Sequence, residues 1–501
     1  TATGGTAVGN QSLAANTTGN YNTAVGMQSL ESNQSGTDNV AIGYYAMQAN
    51  LASNNTAVGR RALAANTTGG SNTAVGNNAL DANTTASYNT AVGADSLSAN
   101  TTGASNTALG RYALNANTTA SANTGLGNNA MGSNTTGGNN TAVGSQCLAA
   151  NTTASENTAV GSETLEANTT GTRNTAIGYR ALEDNSTGDM NVAVGAYALP
   201  ENTTGGENVA IGRNALRYNT TGSYNTAIGG AALQQSQSSS ENVAIGYQAM
   251  DSADGANNCV AIGMKAMDDL TTGVGNIAIG RYALGDVTTN GGNTAIGGYD
   301  GSAQPALRVC TGYSNTAVGS GAGAILVTGF KNTCIGYKGD VDNTAREECV
   351  VIGHELGTHA ANGTARIKAD NGIYNTANSS TFNTTSDIRI KKDVVDCPQG
   401  LDIINQIKVR NFNYRTPEEI AEGAPELADL DLKDMAVRRP ELQIGVIAQE
   451  IEQLLPEVVT YDDNGVRDVN PERLTWILIN AVKELSAENT ALKARLDAAG
   501  L

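Results

Sequence analysis

The sequence predicts a mostly β chain: a repetitive β-solenoid (β-roll) shaft assembled as a homotrimer, followed by a small α+β domain ending in a coiled-coil helix. Three observations predict it. A seventeen-residue phrase, T/V-A-V/I-G-x-x-A-L-x-A-N-T-T-G-x-x-N, restarts at Thr6, Thr23, Val40, Thr56, Thr73 and Thr90 and continues to Val350, in about 21 copies. Such a period, held so long, means stacked coils rather than one globular core. Charge then rises abruptly: residues 386–501 hold 36 of the 76 charged side chains, 29 basic plus 47 acidic. Finally, apolar residues near the C-terminus recur at alternating steps of four and three.

Each part of the phrase has a physical reading. β-Branched Val, Ile and Thr fill positions one and three, as in Val209-Ala210-Ile211-Gly212, so position two faces the other way. With apolar residues on both sides, the strand is expected to be buried on both faces. The small recurrent Ala is expected to admit a neighbouring chain. Gly at position four implies a positive φ or a backbone approach too close for a Cβ. The Ala-Leu pair, as in Ala79-Leu80, is the larger filler. Asn66-Thr67-Thr68-Gly69 reads as turn chemistry with left-handed Asn and Gly. Each coil should therefore hold two extended pieces and two turns, and the stack should form a rod on the order of 100 Å long at about 4.8 Å per coil.

Two spacings depart from the period. Val40 to Thr56 is one residue short, and Thr294 to Thr316 is five residues long. The excess is expected within Gly298–Pro305, a surface loop by composition and a candidate contact site. The domains read as a shaft over 1–359, a neck rich in Asn, Thr and Ser over 360–385, a compact domain over 386–473 and a helix over 474–501.

Composition narrows the function. Aromatic residues are 4% and glycines number 59, which suits a thin rod. A net charge of −18 argues against a nucleic-acid partner. No apolar run reaches the roughly 18 residues a membrane helix needs, so membrane insertion is not expected. No signal peptide is evident, and a start at Thr1 without Met reads as a fragment. Cys147, Cys259, Cys310, Cys334, Cys349 and Cys397 contain no C-x-x-C pair. They read as small buried hydrophobes, with disulfides or a metal site as the alternatives. The segment His354–His359 imitates a zinc-protease helix, but its histidines are five apart rather than four. No metal site and no cofactor are expected.

Two resemblances extend this reading. The repeat resembles the head repeats of trimeric autotransporter adhesins, and more closely the NTAVG-type repeats of phage tail fibres. The adhesin-head period is shorter, which leaves handedness open. From residue 386 the phrases Ser386-Asp387-Ile388-Arg389-Ile390-Lys391, Gly400-Leu401-Asp402-Ile403-Ile404, Phe412-Asn413-Tyr414, Gly445-Val446-Ile447-Ala448-Gln449-Glu450 and Leu455-Pro456-Glu457-Val458-Val459 resemble the C-terminal intramolecular chaperone, or auto-processing, domain of endosialidase tailspikes. That resemblance implies a self-cleaving Ser–Lys dyad, with Ser386 as nucleophile, Lys391 as base and the Thr385–Ser386 bond as the one cut. Such a Lys must lose its proton near neutral pH, and Arg389 and Lys392 would help by charge. The alternative is an exposed Ser in a basic turn.

Leu478, Val482, Leu485, Asn489, Leu492 and Leu496 form a coiled-coil seam in which Asn489 fixes register. The alternative is a lone amphipathic helix packed on its own domain. Together these readings point to a structural fibre of a virion tail or extracellular surface, binding a cell-surface receptor or glycan. It would be an enzyme only as a serine peptidase acting once on itself. The rivals are a bacterial surface fibre that keeps its C-terminal domain as a tip, and a polysaccharide-degrading tailspike.

Overall fold

The computed structural model describes residues 2–301, 303–341, 344–354, 362, 365–367, 373–375, 395, 397–413, 443–461, 467–469 and 471–500. The chain divides into two compact units, Thr1–Asn383 and Thr384–Leu501.

The first unit is a β-solenoid. It carries one three-residue strand per coil, from β1 (Thr6–Val8) to β21 (Val350–Ile352), in a single parallel stack. Like pairs with like at each step: Thr73 lies against Thr90, Ala74 against Ala91 and Val75 against Val92. Register survives both irregular spacings, with Val40 against Thr56 and Thr294 against Thr316. The sheet then continues through β22 (Ala365–Ile367), parallel to β21, and β23 (Ile373–Asn375), antiparallel to β22.

The expected second extended piece of each coil is absent among the described residues. Turns take its place, yet their amides still bond from coil to coil. In the coil beginning at Thr73, the N–H groups of Leu80, Ala82 and Thr84 donate to Ser96, Ser98 and Thr101 in the next coil at 3.0, 3.1 and 3.2 Å. Those of Gly76, Asn78 and Tyr88 donate to Val58, Arg60 and Gly70 in the preceding coil at 2.8, 3.0 and 3.2 Å. Amides thus point both ways along the stack, and this is achieved with left-handed residues. Asn78, Leu80 and Tyr88 have φ of 54°, 53° and 64°. A left-handed Leu costs roughly 1–2 kcal/mol. Complete burial of its side chain, worth about 2 kcal/mol, offsets that. The Asn and Gly of the turn phrase, such as Asn66 and Gly69, are not left-handed, contrary to expectation. The Gly at position four is: Gly76 has φ +140°, and a Cβ there would meet the Gly93 carbonyl oxygen at 2.4 Å.

The strand faces are also the reverse of the expectation. The Ala at position two is fully buried from Ala24 to Ala317, packed with the Leu slot inside its own coil. It therefore admits no second chain. Positions one and three face outward, and none of them is buried.

Two buried Asn ladders line the rest of the interior. The side chain of Asn83 donates to Asn66 Oδ1 at 2.8 Å and to the Ala86 carbonyl at 3.0 Å. That carbonyl also accepts the side chain of Asn72 at 2.9 Å, and Asn72 Oδ1 accepts the Asn89 amide at 2.9 Å. Buried amide groups are tolerated because nearly every donor and acceptor is matched. The position-eleven ladder ends at Asn219, whose Oδ1 has no partner among the described residues. Buried Ser236, Ala253, Leu270, Val287, Cys310 and Leu326 follow it. The ladder at position seventeen continues to the last coils.

All six cysteines stand outside disulfides. Cys147 and Cys334 fill Ala slots, and burial pushes both thiols up to about 12. Cys259 and Cys349 take Asn slots at position seventeen, and Cys310 takes one at position eleven. Cys259 reproduces the Asn bonds: its thiol donates to the Gly273 carbonyl (3.3 Å) and its sulfur accepts the Asn276 amide (3.4 Å).

The second unit contains α1 (Leu401–Ile404), β24 (Arg410–Phe412), β25 (Gln443–Gly445), α2 (Ala448–Leu454), a 3-10 turn (Pro456–Val458), β26 (Val459–Tyr461), β27 (Arg467–Val469) and α3 (Pro471–Ala498). Its core is Ile451, Leu455, Val458, Val459 and Ile477, with Ile403, Ile404 and Ile407 against it.

Candidate functional site

Thr385, Ser386 and Lys391 lie outside the described residues. What the structure defines is the frame downstream of them. Residues 397–401 are fastened to α3: Asn480 Nδ2 donates to the Cys397 carbonyl at 3.1 Å, and Glu484 Oε2 accepts the Leu401 amide at 2.6 Å. The phrase Gly445–Glu450 is a strand-to-helix corner. Gly445 sits where a Cβ would lie 3.2 Å from the Phe412 ring, and extended Ile447 starts α2. Glu450 binds Arg410 of β24 at 2.7 Å, and that guanidinium holds its carboxyl below the usual range. Pro456 opens the 3-10 turn, whose Glu457 carbonyl is held by the Arg473 guanidinium. The phrase residues that are described here serve packing and corners rather than chemistry.

The seam residues all lie on α3, whose N-terminal half also carries Leu474, Ile477 and Ala481. Ile477 and Ala481 are buried and Leu474 is partly buried. The seam faces outward: Leu478, Val482, Leu485, Leu492 and Leu496 range from 41% to 58% exposed. Asn489 Nδ2 bonds the Leu485 carbonyl of its own helix at 2.9 Å. The packed-helix alternative and the seam therefore coexist on α3, the packed residues clustering in its N-terminal half. No helix of the described residues is long and apolar enough to cross a membrane.

The solenoid brings together groups that the sequence reading passed over. Glu163, Glu166 and Glu183 have carboxylate oxygens within 4.8 Å of one another. Partial burial raises the carboxyls of Glu166 and Glu183. Arg180 offsets part of the group's charge, 2.5 Å from Glu163 and 3.5 Å from Glu183. Beside it, Tyr179 packs edge-on against Tyr197, with ring centres 5.3 Å apart. The available signal was positional: two consecutive coils read Glu163-x-x-Glu166 and Arg180-x-x-Glu183, and equal positions stack. The long coil resolves similarly. Eight residues, 298–305, stand where other coils have two, and the Ala306 amide still bonds the Gly297 carbonyl at 3.0 Å. The insertion carries Tyr299 to Arg281, whose guanidinium lies 5.5 Å from that ring. His354 follows Gly353 in a turn and stacks on Tyr337, while Glu355 and His359 lie outside the described residues.

No curated protein matches the chain. Residues 386–460 match the family described as chaperone of endosialidase. They contain the Ser386–Lys391 phrase, the Gly445–Glu450 corner and the Leu455–Val459 turn, of which Leu455, Val458 and Val459 are buried. The chain thus carries a β-solenoid with 21 strand-bearing coils among its described residues and, in its C-terminal unit, a segment similar to the chaperone of endosialidase family.

Proposed function

We propose that the protein is the shaft of a homotrimeric fibre, on a phage tail or cell surface, that serves adhesion or receptor binding and is folded by its own C-terminal domain. The observation that carries this is the exposed seam of α3 in a chain bearing that domain. Five large aliphatic side chains on one helical line are costly in water, and burying them against two copies of the same helix removes that cost. Parallel helices would set three chains in register before stacking of the coils begins. Ser386, activated by Lys391, then cuts the Thr385–Ser386 bond once assembly is complete. The solenoid offers turn-borne aromatic and charged groups, such as Arg281 with Tyr299, to a surface receptor or glycan.

Light scattering of the full chain, followed by N-terminal sequencing of any fragment, tests this. A trimeric mass and a fragment starting at Ser386 are expected. A monomeric mass refutes the assembly, whereas an intact trimer refutes cleavage alone. The tailspike alternative has one observation in its favour, the Glu163–Glu166–Glu183 group beside Tyr179 and Tyr197. Against it, Arg180 already pairs with Glu163 and Glu183. Loss of a polysaccharide-degrading activity on Glu166→Gln would favour it.

A further inference from the structure

The outward side of the strand ladder presents an aliphatic side chain at every level. Position one is Thr, Val or Ile and position three is Val, Ile or Leu in all 21 coils, without one charged residue. Other outward positions do carry charge, for example Arg60, Arg180, Glu183 and Glu156. Leu109 is 45% exposed, Ile177 42% and Ile296 38%. A sheet face meant for water carries charged residues; here position three is aliphatic at every level, and position one, Thr in 14 strands and Val or Ile in seven, is never charged. Of its 21 aliphatic side chains at position three, eleven are exposed and the others half-buried, and together they present on the order of 1,000 Å² of contiguous surface, more than monomers leave open and enough for a specific interface.

The structure's periodicity indicates the occupant. Each level presents the same residue classes at the same place, one coil apart. A parallel copy reproduces that spacing at every level, whereas an unrelated partner would have to match it over the whole stack. The exposed seam of α3 calls for copies in the same parallel sense. We infer that the shaft's own copies cover this face: positions one and three form the seam along which protomers meet in register, coil against coil. This rests on the homotrimeric reading above and corrects the face on which the sequence placed the contact. Closed rotational symmetry brings the same patch of each protomer toward the common axis.

The test uses the full chain with Cys397→Ser, which removes the one exposed thiol, and a nitroxide on a single new cysteine. Val143→Cys places the label on the ladder, and Thr153→Cys places it on an exposed turn of the same coil. With a trimeric mass, the Val143→Cys label is expected to be immobile and broadened by spin–spin coupling, and the Thr153→Cys label mobile and narrow. A trimer in which the Val143→Cys label is mobile and unbroadened overturns the inference and leaves trimerisation intact, including the case where an added glycan then immobilises it. A monomeric mass for both variants and for the parent overturns the trimeric reading and the inference together. A second variant, Ile211→Lys with Ile228→Lys, keeps the α3 seam. Coil-to-coil contact predicts faster amide exchange across the neighbouring coils of the trimer, and unchanged exchange contradicts it.

Discussion

The side-chain oxygen of Asn55 accepts the backbone N–H of Asn72 from the next coil at 2.9 Å, deep inside the solenoid. The same bond recurs along the stack, for example from Asn157 to Asn140 Oδ1 at 2.9 Å, so each coil holds the amide of its successor. Asn140→Ala leaves that amide and the Ala154 carbonyl short of partners. A cost of about 2 kcal/mol is expected, read as amide exchange about 30-fold faster in the adjoining coils. Asn140→Cys should lose much less, because Cys259 fills the same slot natively. Hydrogen exchange resolved by peptide checks both.

Gly212 has φ +131°, and a Cβ there would meet the Gly229 carbonyl oxygen at 2.6 Å. Gly212→Ala therefore forces two coils apart at the strand end. The expected loss is about 2 kcal/mol or more, localised by exchange to the coils on either side.

Asp340 occupies a Leu slot near the end of the solenoid. It is buried, and it accepts the amides of Ile325 at 2.7 Å and Val341 at 2.8 Å. Burial pushes its carboxyl up from 3.8 to about 6. The folded coils therefore favour the neutral acid. Their stability is full below the unfolded value and falls as pH rises through about 6, by at most ~3 kcal/mol. Amide exchange over 316–352, corrected for intrinsic rates, should show weaker protection at pH 7.5 than at pH 5. Asp340→Asn should abolish the difference.

The α3 seam allows a direct test of assembly. Leu485→Lys with Leu492→Lys places charge on two of its outward positions. A change from trimeric to monomeric mass is expected by light scattering, with the Ile477 face still packed. Asn489→Leu should raise the unfolding temperature of the trimer and loosen its register.

Cleavage is tested by Ser386→Ala and Lys391→Ala. Both should abolish any fragment beginning at Ser386 and leave the trimeric mass unchanged. An active Lys391→Ala variant would remove that residue as the base.

The period, the strand at each restart, the strained Gly and the site of the long insertion were all legible in the sequence. Each follows from local residue type repeated at a fixed interval. The direction of the strand was not legible. Alternation separates Ala74 from Thr73 and Val75 but does not say which side is inside, and small Ala is inside because Leu80 already fills the coil. The Asn ladders were hidden because Asn66 and Asn72 suit turns equally well, and only the stack shows that they are buried. Left-handed Leu80 had no signal, since Leu is a poor candidate for that conformation. The Ser386–Lys391 pairing rests on resemblance alone, because those residues lie outside the described part.

Two coils are a residue short at one common corner. Asn50 reaches the Ala52 carbonyl at 2.8 Å across one residue, where Asn66 reaches that of Gly69 across two, and Cys310 reaches Gly312 across one. Strand register continues through both places, although Asn33 Oδ1, beside the first, has no ladder partner among the described residues. That corner is a tolerant splice point: a peptide tag or epitope spliced in at residue 51 or 311 would project from the shaft while the threads on either side kept their count.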